Sequence, residues 1–272
     1  MSIDVIGHVT KDIVEINSRT EKKIGGTAFY SGITLANLGI KTKIFTKLAT
    51  KDKKLLVALK HRNISLFPYF CKFTTCFRNV YRGERREQFV EGAVEPFAVA
   101  EIKRIGKPKF VHVGPLTKND IPVSILKYLK SSGLTVSLDV QGYLRKIRNK
   151  KISLTTWEDK QEFLKFVDVI KADKQEAKIL TDRGGKPAAK ALAALGPREV
   201  VITNGLHGSL IYSHGRYFRI PAFKPAVIKD VTGCGDTYAA AYLAKRLESN
   251  DLNECGLFAA KCATIKIEKG IF

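Results

Sequence analysis

The chain of 272 residues is 44% apolar, which is enough to bury a large core in one domain with an appendage or in two domains. No apolar run approaches the roughly 20 residues that a membrane span needs, and the N-terminal residues predict a buried strand rather than a signal peptide, so we expect a soluble cytoplasmic protein. The 47 Lys and Arg against 26 Asp and Glu give a formal net charge of +21. Because these basic residues are spread over many predicted helix faces and turns without interleaved aromatic rings, we interpret them as a solvated surface rather than a nucleic-acid interface.

Short apolar runs alternate with helical patterns along the chain. Buried strands are predicted at 3–6, 43–46, 110–113, 135–138, 167–170 and 200–203. Helices are predicted at 29–38, 122–129 and 187–195, and each is followed closely by a glycine that can end it. This order predicts a Rossmann-like α/β fold, a parallel sheet with helices on both faces, in which ligands bind at the carboxyl ends of the strands.

Two segments, at about 12–24 and 66–92, interrupt this alternation and are predicted to form antiparallel strands. We interpret them as a small β lid on one large domain that spans residues 1–272, and we leave open a homodimer that forms through the lid. Beside a predicted turn at 82–84, Arg82, Arg85 and Arg86 either reach a phosphate or hydroxyl group or are solvated. Glycines between apolar pairs predict a further hairpin over 203–220.

The segment 230–237, with the sequence DVTGCGDT, carries the clearest local signal for chemistry. Gly233 and Gly235 flank the small Cys234 at a predicted helix start, so consecutive backbone amides and the helix dipole can bind an anion. Asp236 lies in the first turn of that helix. Local physics leaves two interpretations of Asp236: a helix-capping carboxylate, or a base that accepts a proton from an attacking hydroxyl while the glycine turn stabilises a phosphoryl group.

Other known phosphate-binding motifs are missing from the sequence. The segment 184–187 (GGKP) lacks the spacing and the hydroxyl residue of a Walker motif, and neither an HRD nor a DFG tripeptide occurs. The first strand leads into GHVT at 7–10 rather than a GxGxxG fingerprint. The segment 230–237 is therefore the candidate phosphate cradle.

Several motifs, in their order along the chain, resemble those of the PfkB (ribokinase-like) carbohydrate kinase family. The segment 230–237 resembles the family signature DTTGAGD that precedes a helix, and 25–39 resembles its N-terminal glycine pair, helix and LG ending. Segments 111–115 (VHVGP) and 137–142 (SLDVQG) resemble strand ends in members, 171–176 (KADKQE) resembles the NxxE motif, and 203–208 (TNGLHG) resembles the TxGxxG hairpin. The similarity covers essentially the whole chain.

The resemblance implies an ATP-dependent kinase that phosphorylates a hydroxyl of a small polyol, a sugar or a cyclitol, with a nucleoside as the alternative acceptor. It implies that Asp236 is the catalytic base and that Gly233, Cys234 and Gly235 form the anion hole. It also implies that Glu176 holds Mg²⁺, through water in similar enzymes. These assignments predict that transfer depends on positioning and electrostatics.

The resemblance further implies where the nucleotide and a cation bind. The nucleotide is expected near Thr203, Gly205 and Asp173, with Ala260 close to the adenine. Asp230 belongs to a loop that binds a monovalent cation in some members. Asp173 stands where the motif NxxE has Asn, so it either adds negative charge to the metal site or caps the helix ahead of Glu176.

On the acceptor side, Asp12 matches the acidic residue that members place after the first strand, where a carboxylate can accept hydrogen bonds from two hydroxyls. A turn Asp ahead of a strand is the alternative interpretation. Gly25 and Gly26 would allow close approach of the backbone to substrate. Tyr30 stands where many sugar-phosphorylating members have an Asn, so it removes an amide that could bind a sugar hydroxyl.

A second functional class is a non-catalytic descendant of the same fold, whose basic surface binds nucleic acid. Salt-sensitive binding of DNA or RNA without ATP turnover would identify it. The presence of both Asp236 and Glu176 favours the enzyme.

Overall fold

A computed structural model describes residues 1–16, 19–82, 85–92 and 95–272. Within those residues, fifteen strands are found: β1 (Ile3–Gly7), β2 (Thr10–Ile16), β3 (Arg19–Gly25), β4 (Thr42–Ala49), β5 (Ile64–Cys71), β6 (Phe77–Arg82), β7 (Arg85–Val90), β8 (Phe110–Gly114), β9 (Val136–Asp139), β10 (Arg145–Arg148), β11 (Lys151–Leu154), β12 (Val169–Asp173), β13 (Glu199–Thr203), β14 (Ser209–Ser213) and β15 (Arg216–Ile220).

The same residues form seven α-helices: α1 (Thr27–Asn37), α2 (Val123–Ser131), α3 (Lys160–Leu164), α4 (Lys174–Thr181), α5 (Gly185–Ala193), α6 (Cys234–Arg246) and α7 (Leu252–Lys269). Short 3-10 helices lie at Thr50–Leu59, Val99–Ile102, Gln141–Leu144 and Gly205–His207. The helices predicted at 29–38, 122–129 and 187–195 are confirmed as α1, α2 and α5, with ends that differ by one or two residues.

The large sheet has the strand order β15-β14-β13-β12-β9-β8-β1-β4-β5 in the described residues. Its strands from β13 to β5 are parallel to their neighbours, and β14 and β15 add an antiparallel hairpin at one edge. All six predicted buried strands lie in this sheet, and the hairpin predicted over 203–220 is confirmed as β14 and β15. The predicted α/β fold is therefore confirmed.

Alternate residues of the strands enter cores on opposite faces of the large sheet. Ile44 packs in the core beneath α1, α6 and α7, whereas its neighbour Phe45 packs in the core beneath α2, α4 and α5. Both side chains are completely buried. Strands buried on both faces need nearly continuous apolar sequence, which is why the short apolar runs predicted them.

A smaller sheet has the strand order β10-β11-β7-β6-β2-β3 in the described residues. Its pairs are antiparallel except that β2 runs parallel to β6. The predicted limit of the second lid segment is wrong, because β5 lies parallel to β4 at the edge of the large sheet and the lid strands begin only at β6. The tip of the predicted turn, residues 83 and 84, lies outside the described residues.

The β10–β11 hairpin completes the small sheet and was not predicted from the sequence. Its two-residue turn is formed by Asn149 (φ 49°) and Lys150 (φ 65°). Two positive φ angles are typical of the turn that matches the twist of a hairpin, but this turn contains no glycine to signal it.

Within the part of the chain that is described, no helix is long and apolar enough to cross a membrane.

Candidate active site

A cleft of about 490 Å³ lies at the carboxyl ends of the parallel strands. The neighbouring strands β9, β12 and β13 end at Asp139, Asp173 and Thr203, and all three of these residues line the cleft. Residues of β2, β6, β7 and β10 line it from the side of the small sheet. The cleft is therefore built where the large sheet meets the small one.

The cleft brings together residues that are far apart in sequence. Twelve of the thirteen predicted site residues line it: Asp12, Gly26, Tyr30, Asp173, Glu176, Thr203, Gly205, Gly233, Cys234, Gly235, Asp236 and Ala260. Gly25 is not among the lining residues and lies behind Asp12. A Cβ at this position would stand 2.6 Å from Asp12 Oδ2, so Gly25 leaves space for the Asp12 carboxylate.

The N-terminus of α6 faces the cleft through Gly233, Cys234 and Gly235. Gly233 has φ 77°, and a Cβ there would overlap the ring of Tyr30. The first amides of a helix have no acceptor within the helix, and they carry the positive end of its dipole. The turn is thus suited to bind an anion inside the cleft.

Substitution of Gly233 by Ala tests this packing. We expect it to destabilise the protein by about 1–3 kcal/mol and to lower activity, because a positive φ and overlap with Tyr30 act together. Gly39→Ala is the matched control, since Gly39 also has a positive φ of 80° but has no atom within 4 Å of the added Cβ. Thermal unfolding and kcat are the measurements. Equal effects of the two substitutions would contradict the close packing of Gly233 against Tyr30.

Asp236 lies in the first turn of α6 with its carboxyl group buried. Its Oδ1 atom makes no hydrogen bond to the described residues. Burial raises the pKa of this carboxyl to about 6; the negative charge of Asp139 raises it further, and the positive charge of Lys171 opposes the rise. A carboxylate with this pKa is ionised at neutral pH and is suited to accept a proton.

The charge next to Asp236 is set by a buried ion pair. Lys171 Nζ lies 2.9 Å from Asp139 Oδ2, and both side chains are nearly inaccessible to solvent. Burial opposes the charge of Lys171, but Asp139 and Glu176 outweigh burial and raise its pKa. A Cβ at Gly235 would stand 2.9 Å from Lys171 Nζ, so the ammonium also lies beside the N-terminus of α6.

The roles of Asp139 and Lys171 were missed in the sequence, although a signal was present. Lys171 follows the apolar residues of a buried strand, and a lysine in such a place needs an acidic partner. The predicted strand ended at residue 170, immediately before this lysine. The observed strand, β12, continues through Lys171 to Asp173, since Asp139 on the neighbouring strand compensates the ammonium.

Asp173 and Glu176 form a reciprocal cap at the start of α4. Glu176 N donates to Asp173 Oδ1 and Asp173 N donates to Glu176 Oε2, each at 2.7 Å. Burial raises the pKa of Glu176 to about 7, with Lys171 opposing and Asp139 adding to the rise. Of the two interpretations of Asp173, the structure thus shows the helix cap.

Polar side chains line the half of the cleft that contains Asp12. Asp12 Oδ1 accepts a hydrogen bond of 3.4 Å from Phe77 N on β6. Arg145, from the hairpin that was missed, donates to Leu116 O at 2.9 Å and to Gln141 Oε1 at 3.1 Å, and its guanidinium lies over the Phe77 ring. Carboxylate, guanidinium and amide groups beside an aromatic face are suited to a polyhydroxylated ring.

The opposite half of the cleft is largely apolar. It is lined by the turn after β13, by the segment after β15 and by one face of α7: Thr203, Gly205, Leu206, Ala222, Phe223, Ala260, Ala263, Thr264 and Ile267. Leu206 is 68% exposed. An exposed apolar surface at the edge of a cleft is typical of a site for a flat apolar group.

Among the described residues, no cluster of three or more His, Cys, Asp or Glu is close enough to form a metal site by itself. The carboxylate of Glu176, which lines the cleft, nevertheless fits Mg²⁺, because this ion keeps several waters and is commonly held by one or two carboxylates together with substrate phosphates.

The fold and the cleft together define a phosphotransferase with a hydroxyl acceptor. A helix start suited to bind an anion, a buried carboxylate in its first turn and a polar half of the cleft lie at the carboxyl edge of a parallel sheet. The profile of the pfkB family carbohydrate kinases matches residues 1–270. The chain belongs to this family.

Known relatives agree with this assignment. The chain is 27% identical over 267 residues to a cytidine kinase of Thermococcus kodakarensis, a match that covers 94% of this chain and 92% of that protein. A pyrophosphate-dependent kinase of the ribokinase family, solved with a pyrophosphate analogue and myo-inositol, superposes with a TM-score of 0.89 and 27% identity over 97% of this chain and 94% of that one. Arabidopsis thaliana ribokinase, solved with ribose and ATP, shares the fold with a TM-score of 0.80 and 19% identity over 98% and 92% of the two chains.

Proposed function

We propose that this kinase transfers the γ-phosphoryl group of ATP to a hydroxyl of a small sugar or cyclitol, with Asp236 as the base. The observation that carries the proposal is the buried Asp236 carboxyl, whose Oδ1 accepts no hydrogen bond within the described part of the chain and which lies in the first turn of α6, beside amides suited to bind an anion. A hydroxyl placed there can donate its proton to Asp236 while its oxygen attacks the phosphoryl group.

The other charged groups adjust this chemistry. The amides at Gly233, Cys234 and Gly235 stabilise the charge that develops on the transferring phosphoryl group. Lys171 lowers the pKa of Asp236 and partly offsets the effects of burial and of Asp139. Glu176 would hold Mg²⁺, which supplies neutralisation of the phosphate oxygens when bound.

ATP is favoured over pyrophosphate as the donor by the apolar half of the cleft. A bare pyrophosphate has no group that would cover the exposed side chain of Leu206 or the face of α7 at Ala260, whereas an adenine would cover both. A relative of similar fold uses pyrophosphate. The donor is therefore tested by measuring turnover with ATP and with pyrophosphate separately. Turnover with pyrophosphate and none with ATP would overturn this part of the proposal.

Ala260→Phe is expected to raise the KM for ATP by about tenfold, which corresponds to roughly 1.4 kcal/mol of binding. The reason is steric, because Ala260 is almost completely buried on the wall of the donor half and a ring there would occupy space assigned to the adenine. The KM for the acceptor should change little. A steady-state titration of each substrate measures both, and an equal rise in both KM values would reject an adenine site at Ala260.

Asp12 is proposed to orient the acceptor by accepting hydrogen bonds from two hydroxyls. Asp12→Asn should therefore raise the acceptor KM by about tenfold or more, and the KM for ATP should stay close to that of the unmodified protein. Lys11→Gln is the control from the same strand, since Lys11 pairs with Asp52 and is not among the residues lining the cleft. Equal losses on both substrates would reject the role of Asp12.

A nucleoside is the second candidate acceptor. It is favoured by similarity to the cytidine kinase over 94% of this chain and by the rings of Phe77 and Tyr81 on β6, which line the cleft and could stack on a base. A coupled assay with ATP over pentoses, hexoses, inositols and nucleosides compares kcat/KM for the classes. A nucleoside that exceeds every sugar and cyclitol would replace the first candidate.

The non-catalytic alternative has less support, since the chain belongs to a kinase family and combines Asp236 with Glu176. The same assay addresses it, because nucleic-acid binding without any turnover would favour it. Pairing of two chains through the small sheet stays a prediction; Ile16, Ile147 and Leu154 are exposed on its strands, and sedimentation would measure the association.

A further inference from the structure

A buried lysine near the cleft has no part in the proposed transfer. Lys266 lies on α7, and its side chain is completely inaccessible to solvent. A lysine is rarely buried to this degree unless its ammonium is compensated by nearby groups. The residues around its Nζ atom therefore indicate what the ammonium does.

The ammonium of Lys266 binds the start of the segment that leads into the anion-binding turn. Its Nζ donates to the backbone oxygen of Asp230 at 2.9 Å and lies 3.9 Å from Asp230 Oδ1. It also lies over the ring of Tyr30, 5.4 Å from the centroid, at a distance typical of a cation–π contact. Burial lowers the pKa of Lys266, and the negative charges of Asp230 and Asp236 oppose this effect.

The remaining acceptors of Asp230 are also engaged. Lys23 Nζ lies 3.1 Å from Asp230 Oδ2, and Thr232 N donates to Asp230 Oδ1 at 2.8 Å. The amides of Lys229 and Asp230 donate to Ile267 O at 3.0 and 3.4 Å. The chain is thus attached to α7 at Lys229 and Asp230, three residues before the turn at Gly233 that enters the cleft.

This arrangement does not fit the monovalent cation that the sequence suggested at Asp230. Such a cation needs oxygen ligands, but the backbone oxygen and both carboxylate oxygens of Asp230 already face an ammonium or an amide. A second positive charge next to two ammonium groups would be repelled.

We propose that the ammonium of Lys266 serves as a built-in cation. It is a positioning residue that fixes the segment 230–233, and with it the anion-binding turn, without any bound K⁺ or Na⁺. Activity and stability should therefore be indifferent to these ions. The inference goes beyond the proposed function, because it concerns the support of the turn and is independent of which hydroxyl is phosphorylated.

The first experiment uses the unmodified protein in a tetramethylammonium buffer. We expect addition of K⁺, Na⁺ or NH₄⁺ at constant ionic strength to change neither the melting temperature nor kcat. A rise of either quantity that saturates with K⁺ or Na⁺ would overturn the proposal. The melting temperature decides this arm even if the acceptor has been assigned wrongly.

Two substitutions separate a cation role from simple packing. Lys266→Ala removes the ammonium and leaves room beside Asp230 O. Addition of K⁺ or NH₄⁺ should therefore raise the melting temperature of this variant and increase its kcat at least tenfold. Lys266→Met fills the same space without charge, so kcat should fall without recovery. Lys269→Ala, at an exposed lysine of the same helix, should behave as the unmodified protein.

Full activity of Lys266→Ala or Lys266→Met without added cation would overturn the proposal, and so would the failure of every small cation to restore a folded Lys266→Ala variant. If neither variant folds, the cation titration of the unmodified protein decides.

Discussion

Asp236→Asn is expected to lower kcat by a factor of about 10² to 10⁴, the usual contribution of a general base. The substitution keeps the shape of the side chain but removes the proton acceptor in the first turn of α6. The dissociation constant for a non-hydrolysable ATP analogue should change little, because the backbone amides at the start of α6 are retained. Pre-steady-state turnover and equilibrium binding measure the two quantities separately.

Asp159→Asn is the control for this substitution, because Asp159 is an exposed carboxylate that is not among the residues lining the cleft. It should leave kcat unchanged. An Asp236→Asn variant that retains the kcat of the unmodified protein would remove Asp236 from the role of base and would require another acceptor for the hydroxyl proton.

Removal of either partner of the buried pair Lys171–Asp139 is expected to shift the acid side of the pH–rate profile. The two removals should shift it in opposite directions. Asp236 must be ionised to accept a proton, and its pKa is raised to about 6, so kcat/KM should fall as the pH falls through that value. Lys171→Met removes a positive charge and raises the pKa of Asp236, which moves the fall to higher pH. Asp139→Asn removes a negative charge and moves it to lower pH.

Each shift is expected to be about one pH unit, the lower end of the effect of a neighbouring charge. The profile of kcat/KM against pH for the three proteins measures it. A role in packing alone would lower the rate at every pH without moving the midpoint. Shifts in the same direction for both variants would show that neither charge acts on Asp236 as proposed.

The large sheet could be predicted because its buried strands are short apolar runs separated by helices that end at glycine. The small sheet was predicted less well. Strand β5 is partly exposed along most of its length, like a lid strand, yet its backbone pairs with β4, and such pairing is decided by tertiary contacts. The β10–β11 hairpin escaped prediction because Asn149 and Lys150 adopt positive φ angles without a glycine.

The candidate site was predictable where the residues stand in local motifs. The segment 230–237 combines the anion-binding turn and Asp236 in eight consecutive residues, so sequence proximity carries the information. Asp139, Lys171 and Arg145 belong to three different strands and line one cleft only after the sheets assemble. Their charges resemble those of surface residues until burial and mutual distance are known.

The contact of Lys266 and Gly233 with one aromatic ring has a consequence for sequence variation. Tyr30 lies where a Cβ at 233 would stand and also beneath the ammonium of Lys266. A relative that replaces the tyrosine by a small polar residue loses the face on which that ammonium rests. We therefore expect positions 30 and 266 to co-vary among homologues, with an aromatic residue at 30 accompanying lysine at 266.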